Sequence, residues 1–370
     1  MTEKLAPAIP PIATNDLPAT GGAIGPEPED FQVDELPLYA FSGEGEHLYV
    51  RVKKRLMTTR EAVGALARAA GVPQSEIGTA GMKDKHAVTT QWMSLPARRA
   101  KPLEAWALAD GLSILESTRH GNKLRTGHLK GNLFRIRLVD VVENAESNAV
   151  AIAARLRERG LPNYFGAQRF GRDGANLASA VDWLEAEARG DRGRVPPFER
   201  KLYASVVQAE VYNRYVTARM ERGLERPLIG EVVRLEGTGS MFAVEDQEKE
   251  LPRWMSKDIH PTGPMIGPKM RKALGEALAL EEASIASVGL TGDALTALGR
   301  HADGTRRDVL LHIPTLRVSA ASTQDGTGAA STGNAAGGRT LTLELELPSG
   351  SYATEVVREF SREAFFRYSG

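Results

Sequence analysis

Asp84 lies in the run Gly81-Met82-Lys83-Asp84-Lys85-His86-Ala87-Val88-Thr89-Thr90-Gln91, between two lysines and just ahead of a β-branched stretch. Small and charged residues before Val88-Thr89-Thr90 predict a loop feeding a strand. An aspartate so placed can act as a nucleophile or as a general base. A lysine beside it lowers its pKa and favours nucleophilic over acid chemistry. On this motif alone, an ion-paired surface aspartate is the simpler reading. A second segment, Pro162-Asn163-Tyr164-Phe165-Gly166-Ala167-Gln168-Arg169-Phe170-Gly171, changes the balance. At least one of its aromatics is expected in the core. Together they also make a platform for a nucleobase, with Asn163 placed to hydrogen-bond its edge. Gly166 and Gly171 let backbone come close to a ligand.

Rival chemistries have little to work with. The chain holds no cysteine, which excludes thiol catalysis, disulfides and cysteine-ligated metals and suits a reducing compartment. Its seven histidines are scattered, with no HxxxH pair or HExxH motif, so no metal is expected. There is no GxGxxG, no GxxxxGK[ST] and no Gly-x-Ser-x-Gly elbow, and no cofactor is expected.

The 370 residues allow two domains, or one with a large insertion, and a 42% hydrophobic share supports a sizeable core. Basic and acidic residues balance at 47 each. Local charge still counts, because the field near a patch depends on what lies in the patch. From Arg119 to Arg135 the chain carries Arg119, Lys123, Arg125, Lys130 and Arg135 without an acid. Glycines and asparagines among them suit phosphate contact as well as a solvated loop. Residues 1–20 lack a basic start followed by an apolar block. They are expected to form a disordered tail and not a targeting signal. No long apolar run is present, so a soluble cytoplasmic protein without membrane contact is expected.

Positioning elements follow from periodicity. Residues 47–52 alternate, with Leu48, Val50 and Val52 on one face, and predict a strand. Thr58-x-x-Glu61 is a capping box opening a helix that Gly71 stops. Strands are expected over 89–95 and 134–138, and a helix over 144–159 closed by Gly160. This pattern indicates an α+β or mixed α/β sheet domain. From about 176 to 311 helical patterns dominate: 177–188, 200–222 and 269–280, with a small β ribbon over 229–244. Residues 340–347 then alternate like a strand of the first domain, and 352–367 read as a terminal helix. One sheet domain interrupted by an inserted helical domain is the economical interpretation. Residues 319–338, rich in Ser, Thr, Gly and Ala, are expected to be a mobile loop.

Taken in order, Pro28-Glu29-Asp30-Phe31, Gly43-Glu44-Gly45-Glu46-His47, the Gly81–Gln91 run, Arg119-His120, Leu129-Lys130-Gly131-Asn132, the Pro162–Gly171 run and Gly350-Ser351-Tyr352-Ala353-Thr354 resemble the signatures of the TruD family of tRNA pseudouridine synthases. They span nearly the whole chain. The resemblance implies an α+β fold: a mixed, largely antiparallel-sheet catalytic domain (21–189 and 313–370) with an inserted, mostly helical α/β domain (190–312). It implies isomerisation of uridine to pseudouridine in tRNA, at position 13 in bacteria, without a cofactor. By the same resemblance Asp84 is the catalytic aspartate and Phe165 stacks on the target uracil. Phe31, Asn163 and Tyr352 line the pocket. The family usually has Phe where Tyr352 stands, and many members have Lys where this chain has Gly25. Lys83 is then the candidate charge partner of Asp84. Lys123, Arg125 and Lys130 are expected to meet the RNA backbone, and a monomer is expected.

A non-catalytic RNA-binding or RNA-folding protein on the same fold is the alternative function. A glycoside hydrolase ranks lower, since such enzymes need two carboxylates flanking the bond and this motif offers one.

Overall fold

The computed structural model describes residues 5–191, 193, 195–321 and 338–362. The first part of the chain forms β1 (Gly21–Ile24), β2 (Phe31–Pro37), β3 (His47–Arg55), α1 (Thr59–Ala70), β4 (Gly78–Thr79), β5 (Val88–Pro96), β6 (Leu112–His120), β7 (Leu129–Val141) and α2 (Ala145–Arg159). A short strand, β8 (Leu161–Pro162), leads into α3 (Ala175–Ala188), α4 (Pro197–Glu221), β9 (Val232–Leu235), β10 (Met241–Ala243), α5 (Gln247–Met255), β11 (Ile259–Met265), α6 (Gly275–Ala286), α7 (Gly292–Leu298) and β12 (Thr305–Asp308). The chain returns through β13 (Leu310–Leu311), β14 (Arg317–Ala321), β15 (Thr340–Pro348) and α8 (Ala353–Ser361).

Both chain ends build one large sheet, ordered β14-β15-β7-β2-β5-β3-β6, with β1 on β7 and β4 on β5. All its pairs are antiparallel except β2 with β5. The expected α+β class holds. Strand β15 shows why the sequence folds here: Leu341, Leu343, Leu345 and Leu347 alternate onto one face and are buried against α2 and α8. Helix α1 starts with the expected capping box, Thr58 with Glu61, which contributes about 1 kcal/mol. It stops at Gly71, whose φ of 72° is the left-handed conformation that favours glycine.

The parallel contact between β2 and β5 covers only Gln32–Asp34 against Val88–Thr90. Beyond it pairing ends, and the buried Glu35 side chain takes over: its Oε1 accepts the Trp92 amide at 3.1 Å. A second, four-stranded sheet, β10-β9-β11-β12, belongs to the helical part, and a two-stranded pair, β8 with β13, joins the two parts.

Several expectations meet a different outcome. The division placed at 189/190 falls between α3 and α4, yet Leu177, Ala180 and Leu184 of α3 share one core with Val207, Val211 and Tyr215 of α4. Packing therefore puts α3 with the helical part. The helix expected over 269–280 runs from Gly275 to Ala286. Strand β11, in a stretch for which no strand is expected, contains Pro261, Gly263 and Pro264. It pairs with β9 through its first half and with β12 through its second. Each half thus has a paired strand on one side only, a position where proline is tolerated.

The disordered tail expected over 1–20 does not describe residues 8–20. Thr14 is buried, and its amide and hydroxyl donate to Glu359 Oε2 at 2.9 and 2.7 Å. Arg358 Nη1 donates to the Pro10 carbonyl at 2.6 Å. Side chains of the distant α8 bind this segment's backbone, so its own composition does not reveal the order. Of the loop expected over 319–338, residues 319–321 belong to β14, while 322–337 lie outside the described residues, as does the end of the expected terminal helix.

Candidate functional site

Asp84 lies in the loop between β4 and β5, exposed, with no hydrogen-bond or ion-pair partner for its carboxylate among the described residues. The backbone around it is tied down. The Lys83 amide donates to Thr59 Oγ1 at 2.9 Å, and that hydroxyl donates to Gln91 Oε1 at 2.9 Å. Gln91 Nε2 in turn donates to the Gly81 carbonyl at 3.3 Å. The result is an exposed acid, unpartnered among the described residues, on a fixed loop.

Lys83 is not the partner expected for it. Its ammonium lies 2.9 Å from Glu35 Oε2, an ion pair with both side chains almost fully buried. A buried carboxylate needs such a cation, and Glu35 claims the lysine for that purpose. Gly25 supplies no cation either. A Cβ built there would meet Asp30 Oδ2 at 1.9 Å. Asp30 is buried and takes the Glu27 amide at 3.0 Å and Arg137 Nε at 2.5 Å. The space a longer residue would need is filled by that carboxylate.

The cation that does reach Asp84, at its backbone carbonyl, is one the motifs did not single out. Lys54, on β3, is fully buried. Its Nζ donates to the carbonyls of Met57 and Asp84, both at 2.6 Å, and reaches Lys83 O at 3.4 Å. Burial pulls the Lys54 ammonium down to about 8, against the opposing pull of Asp84. The signal was present in the sequence, since Val50, Val52 and Lys54 share one face at period two.

Asn163, Phe165 and Tyr352 come together. Phe165 is 7% exposed, and its backbone is fixed from both sides by Asn213: the Phe165 amide donates to Asn213 Oδ1 at 2.9 Å, and Asn213 Nδ2 donates to the Phe165 carbonyl at 2.9 Å. Its ring meets Tyr212 edge-on at 5.5 Å and Tyr352 at 5.8 Å. Arg169 Nε donates to Tyr352 Oη at 3.1 Å, a use for the hydroxyl by which this chain departs from a phenylalanine. Phe31, at the start of β2, packs edge-on against Phe134 at 6.0 Å and does not join this ring cluster.

Arg307, also missed in the sequence, organises the cluster from β12. Its guanidinium lies 4.2 Å from the Phe165 ring centroid. It donates to Asn163 Oδ1 and to the Gly350 carbonyl at 3.1 Å. Asn163 Nδ2 donates to the Asp308 carbonyl at 2.9 Å. One amide N–H and one lone pair of Asn163 thus remain for a ligand. The Phe165 ring is thus closely covered, by the Arg307 guanidinium and by the rings of Tyr212 and Tyr352.

The basic run spans the end of β6, the following loop and the start of β7. Arg125 and Lys130 are exposed and unpartnered among the described residues. Lys123 Nζ donates to the Ser75 carbonyl at 2.8 Å, so it is less free than the sequence suggested. Among the described residues no cluster of three or more His, Cys, Asp or Glu suits a metal ion, and no helix is long and apolar enough to cross a membrane.

Comparison with known proteins covers almost the entire chain. The family model described as tRNA pseudouridine synthase D (TruD) matches residues 12–181 and 182–360. A protein named tRNA pseudouridine synthase D from Anaeromyxobacter sp. (strain Fw109-5) is 42% identical, across 95% of this chain and 96% of its own length. Its namesake from Thermus thermophilus is 39% identical, across 94% and 91%. A crystal structure of a Methanosarcina mazei protein, described as a candidate tRNA pseudouridine synthase D, superposes with a TM-score of 0.74 over 94% of this chain and 95% of that one. At 23% identity it bears on the fold alone. With an acid on a pinned loop, an aromatic and amide cluster across from it in sequence, and matches along nearly its full length, the chain belongs to the tRNA pseudouridine synthase D (TruD) family.

Proposed function

We propose that this protein isomerises uridine to pseudouridine in tRNA, at position 13, in the cytoplasm and as a monomer. Asp84 is the acting carboxylate, and Phe165, Asn163, Tyr352 and Phe31 hold the base. The observation that carries this reading is the Asp84 carboxylate itself, exposed and without a partner among the described residues, on a loop whose backbone is bonded on several sides. Loop acids kept for structure are normally paired, whereas an acid kept for chemistry must be open to its substrate. The uridine has to leave its stack to be reached. The reaction then breaks a C–N glycosidic bond, turns the base and forms a C–C bond. Atoms and oxidation state are conserved, so the chemistry calls for no cofactor. The helical part, from about 163 to 309, is the inserted unit, and it brings Arg307 and Asn213 to the base pocket.

The direct test is to map pseudouridine in tRNA from cells with and without this protein. Loss of the modification at position 13 is the expected result. Purified protein that binds tRNA but never releases label from C5-tritiated uridine would identify a non-catalytic RNA binder instead.

The basic loop yields a separate expectation. Replacing Lys123, Arg125 and Lys130 together with Ala weakens tRNA binding, and the slope of log affinity against log salt flattens by up to about 0.7–0.9 for each phosphate no longer neutralised. Filter binding over a salt series measures it. An unchanged slope means the patch is merely solvated. Because Lys123 is already bonded to Ser75, most of the effect belongs to Arg125 and Lys130.

A further inference from the structure

We propose that Lys54 is a positioning residue for the reaction: its buried ammonium clamps the loop that presents Asp84 and supplies the positive charge beneath that carboxylate. The inference rests on the assignment of Asp84 above and adds how that residue is held.

The geometry carries it. An ammonium has three N–H donors and no acceptor. In Lys54 those donors face the carbonyls of Met57, Lys83 and Asp84 at 2.6, 3.4 and 2.6 Å. Two of the three belong to the catalytic loop, and one to the residue proposed to do the chemistry. The third ties that loop to the turn before α1. Lys54 is 0% exposed and has no salt-bridge partner of its own among the described residues. A lysine costs too much to bury for packing alone, and a methionine would fill the same space more cheaply. What the charge gives in return is a fixed backbone at Asp84 and a local field. The other candidates for that field are committed elsewhere: Lys83 to Glu35 at 2.9 Å, and Lys85 to a loose contact with Glu61 at 3.9 Å.

A pH signature follows from the same surroundings. The charged groups facing Lys54 are Asp84 and Glu61, which favour its proton, and Lys83, which opposes it. Burial outweighs them and brings the ammonium down to about 8. Below that pH Lys54 is charged and the clamp is closed. Above it the amine has lost a donor and its charge, and the loop loosens.

The test compares the wild type with Lys54→Met and Lys54→Arg, reading single-turnover rates on tRNA across pH 6 to 10 and tRNA affinity in parallel. Lys54→Met is expected to lower the rate on the order of 10- to 100-fold through misplacement of Asp84, with affinity unchanged. Lys54→Arg cannot titrate in this range, and it is expected to lack the alkaline fall that begins near 8 in the wild type. The N3 proton of uracil titrates in both proteins, so the difference between the profiles carries the conclusion. A folded Lys54→Met with wild-type rate, or identical profiles for the wild type and Lys54→Arg, overturns the proposal. Hydrogen exchange on the wild type keeps it testable if neither variant folds. Protection of residues 81–87, corrected for intrinsic exchange, is expected to drop as the pH passes 8, and protection constant through that point also overturns it. An active Asp84→Asn would remove the assignment of Asp84 itself. An inactive Asp84→Asn beside a fully active Lys54→Met would remove only the role given to Lys54.

Discussion

Asp84→Asn is expected to leave tRNA binding intact and to remove pseudouridine formation, with the rate falling on the order of 10⁴- to 10⁶-fold, the scale seen when a catalytic group is removed. The contrast between the two readouts follows from the surroundings of the residue. The carboxylate is exposed and bonded to nothing among the described residues, so its replacement by the isosteric amide leaves no orphaned group behind. Surface changes of this kind stay within about 0.5 kcal/mol of wild-type stability. The bonds that hold the loop use the Lys83 amide and the Gly81 and Asp84 carbonyls, all backbone groups that the substitution does not touch. Any loss of activity then belongs to the acid and not to the fold. Tritium release from C5-labelled tRNA, with affinity and a thermal melt measured alongside, checks it. Measurable turnover by the variant would show that Asp84 is not the acting group.

The parts of the fold that local sequence governs are legible, and the parts that distant partners govern are not. The alternation of β15, the capping box of α1 and the closing glycine of α2 each involve residues a few positions apart, and all three form as expected. Thr14 looks like part of a free tail because its partner, Glu359, is at the other end of the chain. The site divides in the same way. Asn163 and Phe165 announce themselves within one aromatic run. Arg307 sits in Thr305-Arg306-Arg307-Asp308, a stretch with no periodicity, and gains meaning only when β12 pairs beside β11 and swings its guanidinium onto Phe165. Lys83 reads as the partner of Asp84 because it is its neighbour in sequence. A buried acid, Glu35, makes a stronger demand on it than an exposed one. The lysine that reaches Asp84, at its backbone carbonyl, is Lys54, on a strand thirty residues earlier.

Arg307→Met is the substitution expected to separate holding of the base from the step assigned to Asp84. It is expected to lower kcat/KM by about 1–3 kcal/mol of transition-state stabilisation, on the order of 5- to 150-fold, by loss of a largely buried cation–π contact and of hydrogen bonds from a charged donor. The guanidinium touches Phe165, Asn163 and the Gly350 carbonyl at once, so its removal leaves the Asn163 carboxamide held only by its bond to the Asp308 carbonyl and uncovers the Phe165 ring. Phe165 itself stays in place, because Asn213 holds its backbone by two bonds that do not involve Arg307. Arg307→Lys is expected to recover little. A lysine keeps the charge but lacks the planar fork that stacks on a ring and bonds two oxygens together. Steady-state tritium release measures the loss for both variants, and equal activity of the lysine variant and the wild type would reduce the role of Arg307 to charge alone. A rise in the ratio of free uracil to pseudouridine is the further signature, since a base that is cleaved but poorly held escapes before the C–C bond can form.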